Sequence, residues 1–400
     1  MKRFSPVAIS GVGCLTALGS DLAQCMEAMF RGERNCGQPT RFRNPVSLDY
    51  PVFEVSPDFF SAQEHNGASR VRSVQLALTA AQEALSDAQL SSLDLQSIRV
   101  GICLGATVTG SLKDEGIPDA QGTKQSEYLT PEQRFFLTSP VLGIANQYHA
   151  SGPLQTIVTA CSAGSDAIGL AAQWIQAGIC DLVLTGGVEE LYEITYNGFV
   201  SLMNCDKNPC RPFDANRNGL NLGEGAGILV LESEKVLGQR GGQAKASVYG
   251  YGNYSDAYHL TSPSPEGQGL RNATLEALEM SGVKPEQIGF INAHGTGTLD
   301  NDFVEASLFQ EIFPHTPFLS TKGYTGHTLA AAGAVEAAFT ISCLERQHLP
   351  PSGGFSTPDP ELPASPIRTS LRVQTDFALS QTLAFGGINS ILVLGKEREA

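Results

Sequence analysis

The sequence predicts an α/β protein whose sheet is buried on both faces. Short runs rich in valine, isoleucine and leucine recur along the 400 residues and alternate with longer segments of helical periodicity. Strands with nearly continuous apolar residues are typical of sheets that carry helices on both faces. With 42% apolar and 17% charged residues, the chain can also bury a large core.

The predicted strands are short apolar runs bounded by glycine, proline or polar residues. They lie at residues 6–11, 98–104, 181–186, 226–232, 288–293 and 390–395. The predicted helices have apolar residues at three- and four-residue spacing. They lie at residues 72–88, 165–177, 269–281 and 329–345.

The chain is predicted to consist of two similar halves. A polar, glycine-bearing stretch at 238–245 separates parts that each open on a strand running into glycines, VAISGVG and ASVYGYG. In each part an alanine-rich helix follows a loop of small residues. This pattern indicates internal duplication, and we place the halves at residues 1–240 and 241–400.

Charge and cysteine content exclude several classes of protein. The 26 basic and 41 acidic residues give a net charge of -15, which argues against nucleic acid and anionic membrane surfaces as partners. No run approaches the ~18 to 20 apolar residues of a membrane span, and the N-terminal apolar stretch is too interrupted for a secretory signal. Nine scattered cysteines predict reduced thiols in the cytoplasm rather than a disulfide framework.

The segment TACSAGSDAIG predicts a nucleophile at Cys161. A thiol just ahead of a helix lies at the positive end of the helix dipole, which stabilises the thiolate and predicts a lowered pKa. The small residues Ser162, Ala163 and Gly164 leave room for an incoming group, and their backbone N–H groups can face an oxyanion. The alternative is a buried structural thiol, the commonest fate of a free cysteine.

Two histidines in glycine-rich loops favour the nucleophile interpretation. NAHGTGT places His294 directly after a predicted strand, and TKGYTGHTLAAAGAVE places His327 between Lys322 and Glu336. One cysteine and two histidines on three such loops form a constellation suited to acyl transfer. A further histidine, His259 in DAYHLTSP, is predicted to lie in a cavity wall.

Two other motifs are set aside. GVGCLTALG resembles the dinucleotide-binding motif G-x-G-x-x-G, but Thr16 replaces the third glycine. No acidic residue follows at the position that would bind the ribose, so nucleotide binding is excluded. Cys205 and Cys210 lack a second pair of ligands nearby, so no metal site is predicted.

Six segments follow one another in a fixed order along the chain. They are TACSAGSDAIG, RPFDANRNGLNLGEGAGILVLE, DAYHLTSP, NAHGTGT, TKGYTGHTLAAAGAVEA and AFGGINS. Together they resemble the β-ketoacyl-acyl-carrier-protein synthases of the thiolase superfamily. The resemblance implies a thiolase-like five-layer αβαβα sandwich built from two halves, with cap and dimer segments inserted in the first. It also implies a dimer, either of identical chains or with a homologous chain-length-factor-like subunit.

The resemblance implies a decarboxylative condensation on phosphopantetheine thioesters of an acyl carrier protein, with no other cofactor. Cys161 would carry the acyl chain, and the backbone N–H groups of Cys161 and Phe385 would bind the oxyanion. The imidazoles of His294 and His327 would stabilise the enolate formed when a malonyl carrier loses carbon dioxide. These roles require hydrogen bonds aimed at developing negative charge, worth roughly 10²-fold or more in rate.

Further roles follow from the same resemblance. Lys322 and Glu336 would pair and hold the second histidine loop, the alternative being a plain surface ion pair that contributes under ~1 kcal/mol. An acidic carrier would need a local basic patch on this acidic chain. The implied substrate-binding residues are Thr296, Thr298, Phe385 and Gly386. The candidate carrier-docking residues are Arg211, Arg217, Lys207, Arg70 and Arg72, although basic residues on a solvated face usually have no such role.

The catalytic residues favour an elongating synthase. His327 stands where, in the family, asparagine marks enzymes primed by coenzyme A thioesters. The C-terminal AFGGINS lacks the second catalytic cysteine of a biosynthetic thiolase. Because Cys161 is present, the chain does not resemble the inactive chain-length partner subunits.

Departures from the fatty-acid pattern bear on the pathway. GTGTLDND replaces the family's GTSTPxGD, and KGYTGH places Tyr324 near the second histidine. In the gating loop Ala384 replaces a glycine, which is expected to restrict the movement of Phe385. Together these features resemble synthases of bacterial aryl polyene and related type II polyketide pathways more closely than housekeeping fatty-acid elongation.

Two other functions remain open from the sequence. One is a non-decarboxylating acyltransferase or hydrolase on the same fold. The other is a scaffold subunit that shapes the cavity of a ketosynthase heterodimer. Acyl length, unsaturation and starter unit depend on cavity depth and on the dimer interface, so the sequence leaves them undetermined.

Overall fold

A computed structural model describes residues 5–42, 50–60, 71–91, 95–107 and 138–396. The strands, in chain order, are β1 (Val7–Thr16), β2 (Val100–Gly105), β3 (Leu154–Ile157), β4 (Leu182–Glu189), β5 (Gly225–Glu232), β6 (Ala246–Ser255), β7 (Ile288–Asn292), β8 (Phe318–Leu319), β9 (His348–Leu349), β10 (Leu371–Arg372), β11 (Phe377–Ala384) and β12 (Ile388–Gly395). The helices are α1 (Leu22–Arg31), α2 (Arg72–Asp87), α3 (Pro140–Tyr148), α4 (Ala163–Gln176), α5 (Glu193–Ser201), α6 (Glu234–Gln239), α7 (Gln268–Ser281), α8 (Leu299–Ile312), α9 (Lys322–Thr325) and α10 (Ala332–Arg346).

The main sheet repeats one pairing pattern twice. Its strand order is β3-β2-β4-β5-β1-β6-β12-β11-β7-β8. On one side of the centre, β5 pairs antiparallel with β1 and β4 pairs antiparallel with β5. Then β2 pairs parallel with β4, and β3 pairs parallel with β2. On the other side, β12 pairs antiparallel with β6 and β11 pairs antiparallel with β12. Then β7 pairs parallel with β11, and β8 pairs parallel with β7. This repeat supports the predicted duplication, whereas the boundary between 1–240 and 241–400 stays a prediction.

Two alanine-rich helices lie between the two halves of the sheet. Helix α4 packs on β2 and β4 of the first half and on β6 and β12 of the second. Helix α10 packs on β5 and β11, one strand from each half, and it also contacts α4. Helices α2 and α7 cover the outer faces. The result is the five-layer α/β sandwich that the resemblance implied.

The core follows these layers. One apolar cluster fills the space between the half-sheets and includes Ile9, Ala167, Leu229, Ala334 and Leu392. A second lies under α2, and a third lies under α7 and α8. Small side chains in the middle layer let the two central helices approach closely, which brings the loops that precede them together.

Helices in the described ranges are too short or too polar to traverse a lipid bilayer. All nine cysteines lie within these ranges and none forms a disulfide.

Candidate active site

Cys161 lies at the centre of a strained turn at the start of α4. A short 3₁₀ turn spans Ala160–Ser162, and Ala160 has a φ of 51°, a left-handed conformation that alanine adopts at a cost. The Cys161 side chain is buried but lines an internal cavity. The turn therefore directs the thiol into the cavity at the N-terminus of a buried helix.

The second half contains the same turn without a nucleophile. Leu329 also has a φ of 51°, and the 3₁₀ turn Leu329–Ala331 leads directly into α10. The two turns pack against each other, and a Cβ added at Gly164 would lie 2.8 Å from the carbonyl oxygen of Ala330. By position in the repeat, Ala330 corresponds to Cys161, so only the first half carries a thiol here.

The resting thiol differs from its sequence-based prediction. Burial raises the pKa of Cys161 to about 11, and hydrogen bonds from the backbone N–H of Phe385 and Cys161, with the charge of Lys322, only partly oppose this. The predicted lowering of this pKa is therefore wrong, because desolvation outweighs the favourable charges. Those two N–H groups lie within hydrogen-bonding reach of the sulfur. Their role as an oxyanion hole stays a prediction, since it requires them to face the carbonyl oxygen of a bound thioester.

His294 is held in one tautomer by a buried ammonium. The residue follows β7, and its Nδ1 lies 2.9 Å from Nζ of Lys322, which also donates to the His294 carbonyl oxygen at 2.6 Å. Since an ammonium can only donate, Nδ1 must be the acceptor and the ring proton is assigned to Nε2. Burial and the Lys322 charge hold the pKa of His294 well below its usual range, so the ring is neutral.

His327 is fixed in the same tautomer by its own loop. The backbone N–H of Leu329 donates to Nδ1 of His327 at 3.3 Å, which assigns the ring proton to Nε2. Burial, reinforced by the Lys322 charge, lowers the pKa of His327 well below its usual range. The two imidazole centroids lie 5.1 Å apart with an edge-to-face angle of 83°. Two neutral N–H donors thus line the same cavity as the thiol.

Lys322 and Glu336 form a buried ion pair rather than a surface pair. Both side chains are almost fully inaccessible to solvent, and Nζ of Lys322 donates to Oε1 of Glu336. Desolvation raises the pKa of Glu336 to about 7, against the lowering effect of Lys322. Although Lys322 begins the loop that carries His327, its ammonium contacts the other ring, that of His294. The pair therefore supports the first histidine directly, and its implied role in holding the loop of the second stays a prediction.

Glu305 is a positioning residue that the sequence analysis did not identify. Its carboxylate accepts the backbone N–H groups of His294 and Gly295, both at 2.7 Å. It also accepts hydrogen bonds from the side-chain amides of Asn301 and Gln381, at 2.7 and 2.8 Å. Burial raises the pKa of Glu305 to about 7. The only available signal was the spacing of Glu305 eleven residues after His294, on a helix that was not predicted.

The cavity has a volume of about 300 Å³ and is lined by Cys161, His294 and His327, whereas the other two predicted catalytic residues, Lys322 and Glu336, do not line it. Thr296 and Thr298 also line it, with their hydroxyls 2.8 Å apart. Gly386 does not line it but lies in the turn between β11 and β12, whereas the next residue, Gly387, does. A direct contact of Gly386 with substrate in the cavity is therefore not supported.

Phe385 closes one side of the cavity by stacking on Phe199. The two rings are nearly parallel, at 14°, with centroids 5.2 Å apart. Phe385 sits in a tight turn in which Gly387 donates to the carbonyl of Ala384 at 3.0 Å. The φ values of Gly386 and Gly387, 86° and 77°, need glycine, while Ala384 belongs to β11 and has no positive φ. The loss of a glycine at 384 is therefore compatible with the resting turn.

Two other residues of the sequence analysis lie outside the lining of the catalytic cavity. Tyr324 is buried away from the cavity and donates its hydroxyl to the carbonyl of Pro351 at 3.0 Å. His259 lines an adjoining groove rather than the catalytic cavity, and its Nδ1 accepts the backbone N–H of Thr261 at 3.2 Å.

The predicted carrier-docking residues are scattered. Arg217 is buried and pairs with Asp302 and Asp359, and Arg72 pairs with the buried Glu224, so docking through these two guanidinium groups is not supported. Lys207 is exposed, with its ammonium 5.7 Å from the ring centroid of Tyr50. Arg211 is half-buried. Arg70 lies outside the described residues.

Two family models match the chain. The model for the N-terminal domain of beta-ketoacyl synthase matches residues 4–236, and the model for its C-terminal domain matches residues 245–356. Among curated proteins, the chain is 32% identical to 3-oxoacyl-[acyl-carrier-protein] synthase 2 of Staphylococcus aureus strain N315, covering 99% of both chains. It is 33% identical to the protein of the same name from Synechocystis, covering 98% of both.

Solved structures with this fold include complexes of related proteins. The chain is 30% identical to the ketosynthase ApeO in complex with its chain length factor ApeC from Xenorhabdus doucetiae, with a TM-score of 0.83 over 98% of both chains. It also resembles a type II polyketide acyl carrier protein–ketosynthase complex, AntDE:AntF, at 26% identity and a TM-score of 0.86 over the full length of both chains.

Proposed function

The chain belongs to the β-ketoacyl synthase family, and from this premise we propose that it lengthens acyl chains on an acyl carrier protein, with Cys161 as the acyl acceptor. The observation that carries the proposal is one thiol and two neutral imidazoles lining a single cavity. Such a set can hold an acyl thioester beside two donors for an enolate oxygen.

The first step is acyl transfer to the cysteine. The Cys161 sulfur attacks the carrier thioester, a new carbon–sulfur bond forms, and the carrier's pantetheine thiolate leaves. The thiol proton goes to that departing sulfur, so the net charge does not change. During attack the carbonyl oxygen becomes negative, and we assign its stabilisation to the backbone N–H groups of Phe385 and Cys161, which reach the sulfur.

The second step is decarboxylation of a malonyl group on the carrier. The bond between its carboxylate carbon and its α-carbon breaks, carbon dioxide leaves, and the electron pair remains on the α-carbon as an enolate. The Nε2–H groups of His294 and His327 are the donors available to the enolate oxygen. Because both rings are neutral at physiological pH, they stabilise the enolate without protonating its carbon.

The third step forms the carbon–carbon bond. The enolate carbon attacks the thioester carbonyl on Cys161, and the tetrahedral oxyanion returns to the same two N–H groups. Collapse expels the Cys161 thiolate, which takes up one proton from solvent, and a β-ketoacyl group stays on the carrier. The reaction balances with carbon dioxide as the other product and needs no redox cofactor.

The pathway we propose is type II polyketide elongation, with the fatty-acid pathway as the alternative. The solved ketosynthases ApeO and AntDE support the first, and the curated 3-oxoacyl synthases support the second. By the same similarity, a chain-length-factor-like subunit replaces one protomer of the dimer. Nine unpaired cysteines support a reducing compartment, and we place the reaction in the cytoplasm.

Intact-mass spectrometry tests the proposed function. A panel of hexanoyl-loaded acyl carrier proteins is mixed with the chain, and the expected result is a mass gain equal to one hexanoyl group that is absent from Cys161→Ala. Malonyl carrier is then added, and the expected products are a β-ketooctanoyl carrier and carbon dioxide. His327→Ala is the matched variant: acylation persists, while product formation falls by about 10²-fold or more.

Each alternative predicts a different result. A non-decarboxylating acyltransferase would show the acyl adduct without release of carbon dioxide. A scaffold subunit would leave the activity of an assembled complex unchanged after Cys161 is alkylated. Either result would overturn the proposed condensation.

A further inference from the structure

Arg34 joins the segment after α1 to the short helix α9, which begins at Lys322. The residue lies three positions beyond the end of α1 and is half-buried. Its Nε donates to the carbonyl oxygen of Gly323, and its Nη2 donates to the carbonyl oxygen of Cys210. One guanidinium therefore connects α9, the loop that precedes β5 and the segment after α1, which are far apart in the sequence.

The carbonyl of Gly323 needs a donor from outside its own helix. In a continuous helix it would accept the N–H of His327, four residues later. That N–H donates instead to the carbonyl of Asn221 at 2.7 Å, and α9 ends at Thr325. Gly323 is buried, so a carbonyl left without a donor here would destabilise the turn. The guanidinium of Arg34 supplies that donor.

The backbone around Arg34 is closely packed. A Cβ atom placed on Gly323 would lie 1.9 Å from the carbonyl oxygen of Gly353. A Cβ atom placed on Gly354 would lie 2.8 Å from the carbonyl oxygen of Cys210 and 3.1 Å from Nη1 of Arg34. Because these segments leave little spare room between them, loss of the guanidinium contacts should shift the backbone of α9 rather than one side chain alone.

A shift of α9 would reach the site through Lys322. Gly323 follows Lys322 directly, and the Lys322 carbonyl accepts the thiol of Cys210 at 3.3 Å. The lysine side chain starts from this backbone and places Nζ 2.9 Å from Nδ1 of His294, with Glu336 as its ion-pair partner. A misplacement of about 1 Å can slow catalysis by about 10²-fold, so the position of this backbone matters for the imidazole.

We propose that Arg34 is a positioning residue for condensation, which acts through the backbone of α9 to hold the Lys322 ammonium against His294. This inference rests on the proposed function, in which His294 stabilises the enolate. Arg34 does not line the catalytic cavity, so its effect on the reaction is indirect. Both of its acceptors are carbonyls, and no carboxylate in the described ranges forms an ion pair with it, so its replacement leaves no unpaired acid there.

A double-mutant cycle with Lys322 tests this role. Arg34→Met keeps most of the aliphatic stem and should lower the rate of carbon dioxide release from malonyl carrier by hexanoyl-loaded enzyme about tenfold. Acylation of Cys161 by hexanoyl-carrier should stay within about twofold. In the Lys322→Met background the same replacement should change condensation by less than about twofold, because the ammonium that it positions is absent.

Two further variants complete the design. Arg31→Met removes an exposed guanidinium that pairs with Glu33 on the surface, and it should change neither rate. Arg34→Lys keeps the charge but loses the planar fork that reaches two carbonyls, so its condensation rate should fall by about threefold or more. This second variant keeps the proposal testable if Arg34→Met fails to fold.

Three results would overturn the role of Arg34. The first is an unchanged condensation rate in both Arg34→Met and Arg34→Lys. The second is an equal fall of acylation and condensation, which would indicate a general loss of structure. The third is a fall of about tenfold in both the unmodified and the Lys322→Met backgrounds, since the effect would then be independent of the ammonium. Absence of the hexanoyl adduct or of carbon dioxide release in the unmodified chain would instead contradict the proposed function.

Discussion

Lys322 and His294 are joined by a 2.9 Å contact between Nζ and Nδ1 inside the protein. The same ammonium pairs with Glu336, so one buried cation sets both the tautomer of the imidazole and the charge balance around it. It also lowers the pKa of both histidines and opposes the rise in the pKa of Cys161. The chemistry of all three candidate catalytic groups therefore depends on this side chain.

Replacing the cation tests that dependence. Lys322→Met should reduce condensation by about 10²-fold, because Nδ1 of His294 loses the donor that fixes its tautomer. It should also lower the free energy of unfolding by about 3–5 kcal/mol at pH 8, because the Glu336 carboxylate is left buried and unpaired. Urea denaturation and product formation measure the two effects.

The loss of unfolding free energy in Lys322→Met should be larger at pH 8 than at pH 5.5. Without Lys322 the pKa of Glu336, already raised to about 7 by burial, rises further above its unfolded value. The carboxyl is then neutral in the folded variant at pH 5.5, so the stability deficit should be smaller there than at pH 8. The double variant Lys322→Met/Glu336→Met should recover stability but not condensation. An equal deficit at both pH values would contradict a buried, uncompensated carboxylate.

The rate at which Cys161 is alkylated reports the fraction of its side chain that is thiolate. With a pKa of about 11, the Cys161 thiolate is a minor species at neutral pH, so iodoacetamide labelling should accelerate about tenfold per pH unit from pH 7 to 10. Lys322→Met should label more slowly at pH 8, since removal of the cation raises the pKa of the thiol. Peptide mass spectrometry follows Cys161, with the half-buried Cys36 as internal reference. A plateau below pH 8 would instead support the lowered pKa expected from the helix dipole.

The sequence predicted the apolar strands better than those with polar residues facing inward. Strand β11 was missed because Ser380, Gln381 and Thr382 interrupt its apolar pattern, yet all three are fully buried. The Ser380 hydroxyl and the Gln381 amide oxygen are buried without a hydrogen-bond partner among the described residues. The Gln381 amide N–H donates to Glu305 and the Thr382 hydroxyl contacts that of Ser165, both far away in the chain. A local pattern cannot reveal such partners.

Helix α8 was missed for the same physical reason. Asn301, Asp302 and Glu305 face the protein interior and bind the loops of the site, which removes the clean apolar stripe of an amphipathic helix. In contrast, Cys161, His294 and His327 stood out because each lies in a loop of small residues beside a regular element, and the structure brings them to one cavity. Whether a side chain such as Tyr324 turns toward that cavity depends on packing that the sequence pattern does not contain.

Glu305 should affect condensation although it does not line the cavity. Its four hydrogen bonds all come from N–H donors, so Glu305→Gln would place an amide N–H against another donor. We expect a loss of about 1–3 kcal/mol in unfolding free energy and a condensation rate at least about tenfold lower, because the His294 loop shifts. Acylation of Cys161 should change by less than about twofold, and mass spectrometry of the hexanoyl adduct checks this. Equal losses in acylation and condensation would show that the whole fold, rather than the His294 loop, is affected.

Asp166 should hold the nucleophile turn against the second half of the molecule. Its Oδ2 accepts the hydroxyls of Thr159 and Ser162, which flank the cysteine, and its Oδ1 accepts the Tyr251 hydroxyl at 2.9 Å and the Asn253 amide at 2.7 Å. Asp166→Ala removes an acceptor that these four groups share, although the Ser162 hydroxyl keeps the Thr159 carbonyl oxygen at 2.9 Å. Unfolding free energy should fall by about 3 kcal/mol, and acylation of Cys161 should slow.

The conservative variant separates positioning from general loss of stability. Asp166→Asn should recover much of the acylation rate. The asparagine amide N–H can donate to the hydroxyls of Thr159 and Ser162, because a hydroxyl can accept a hydrogen bond as well as donate one. Tyr251→Phe removes only the hydrogen bond from the Tyr251 hydroxyl of the second half to Asp166. It should lower the free energy of unfolding by about 1 kcal/mol with little change in the acylation rate. If Tyr251→Phe and Asp166→Ala slowed acylation equally, the contact between the halves would matter more than the turn, and the proposed role of Asp166 would be wrong.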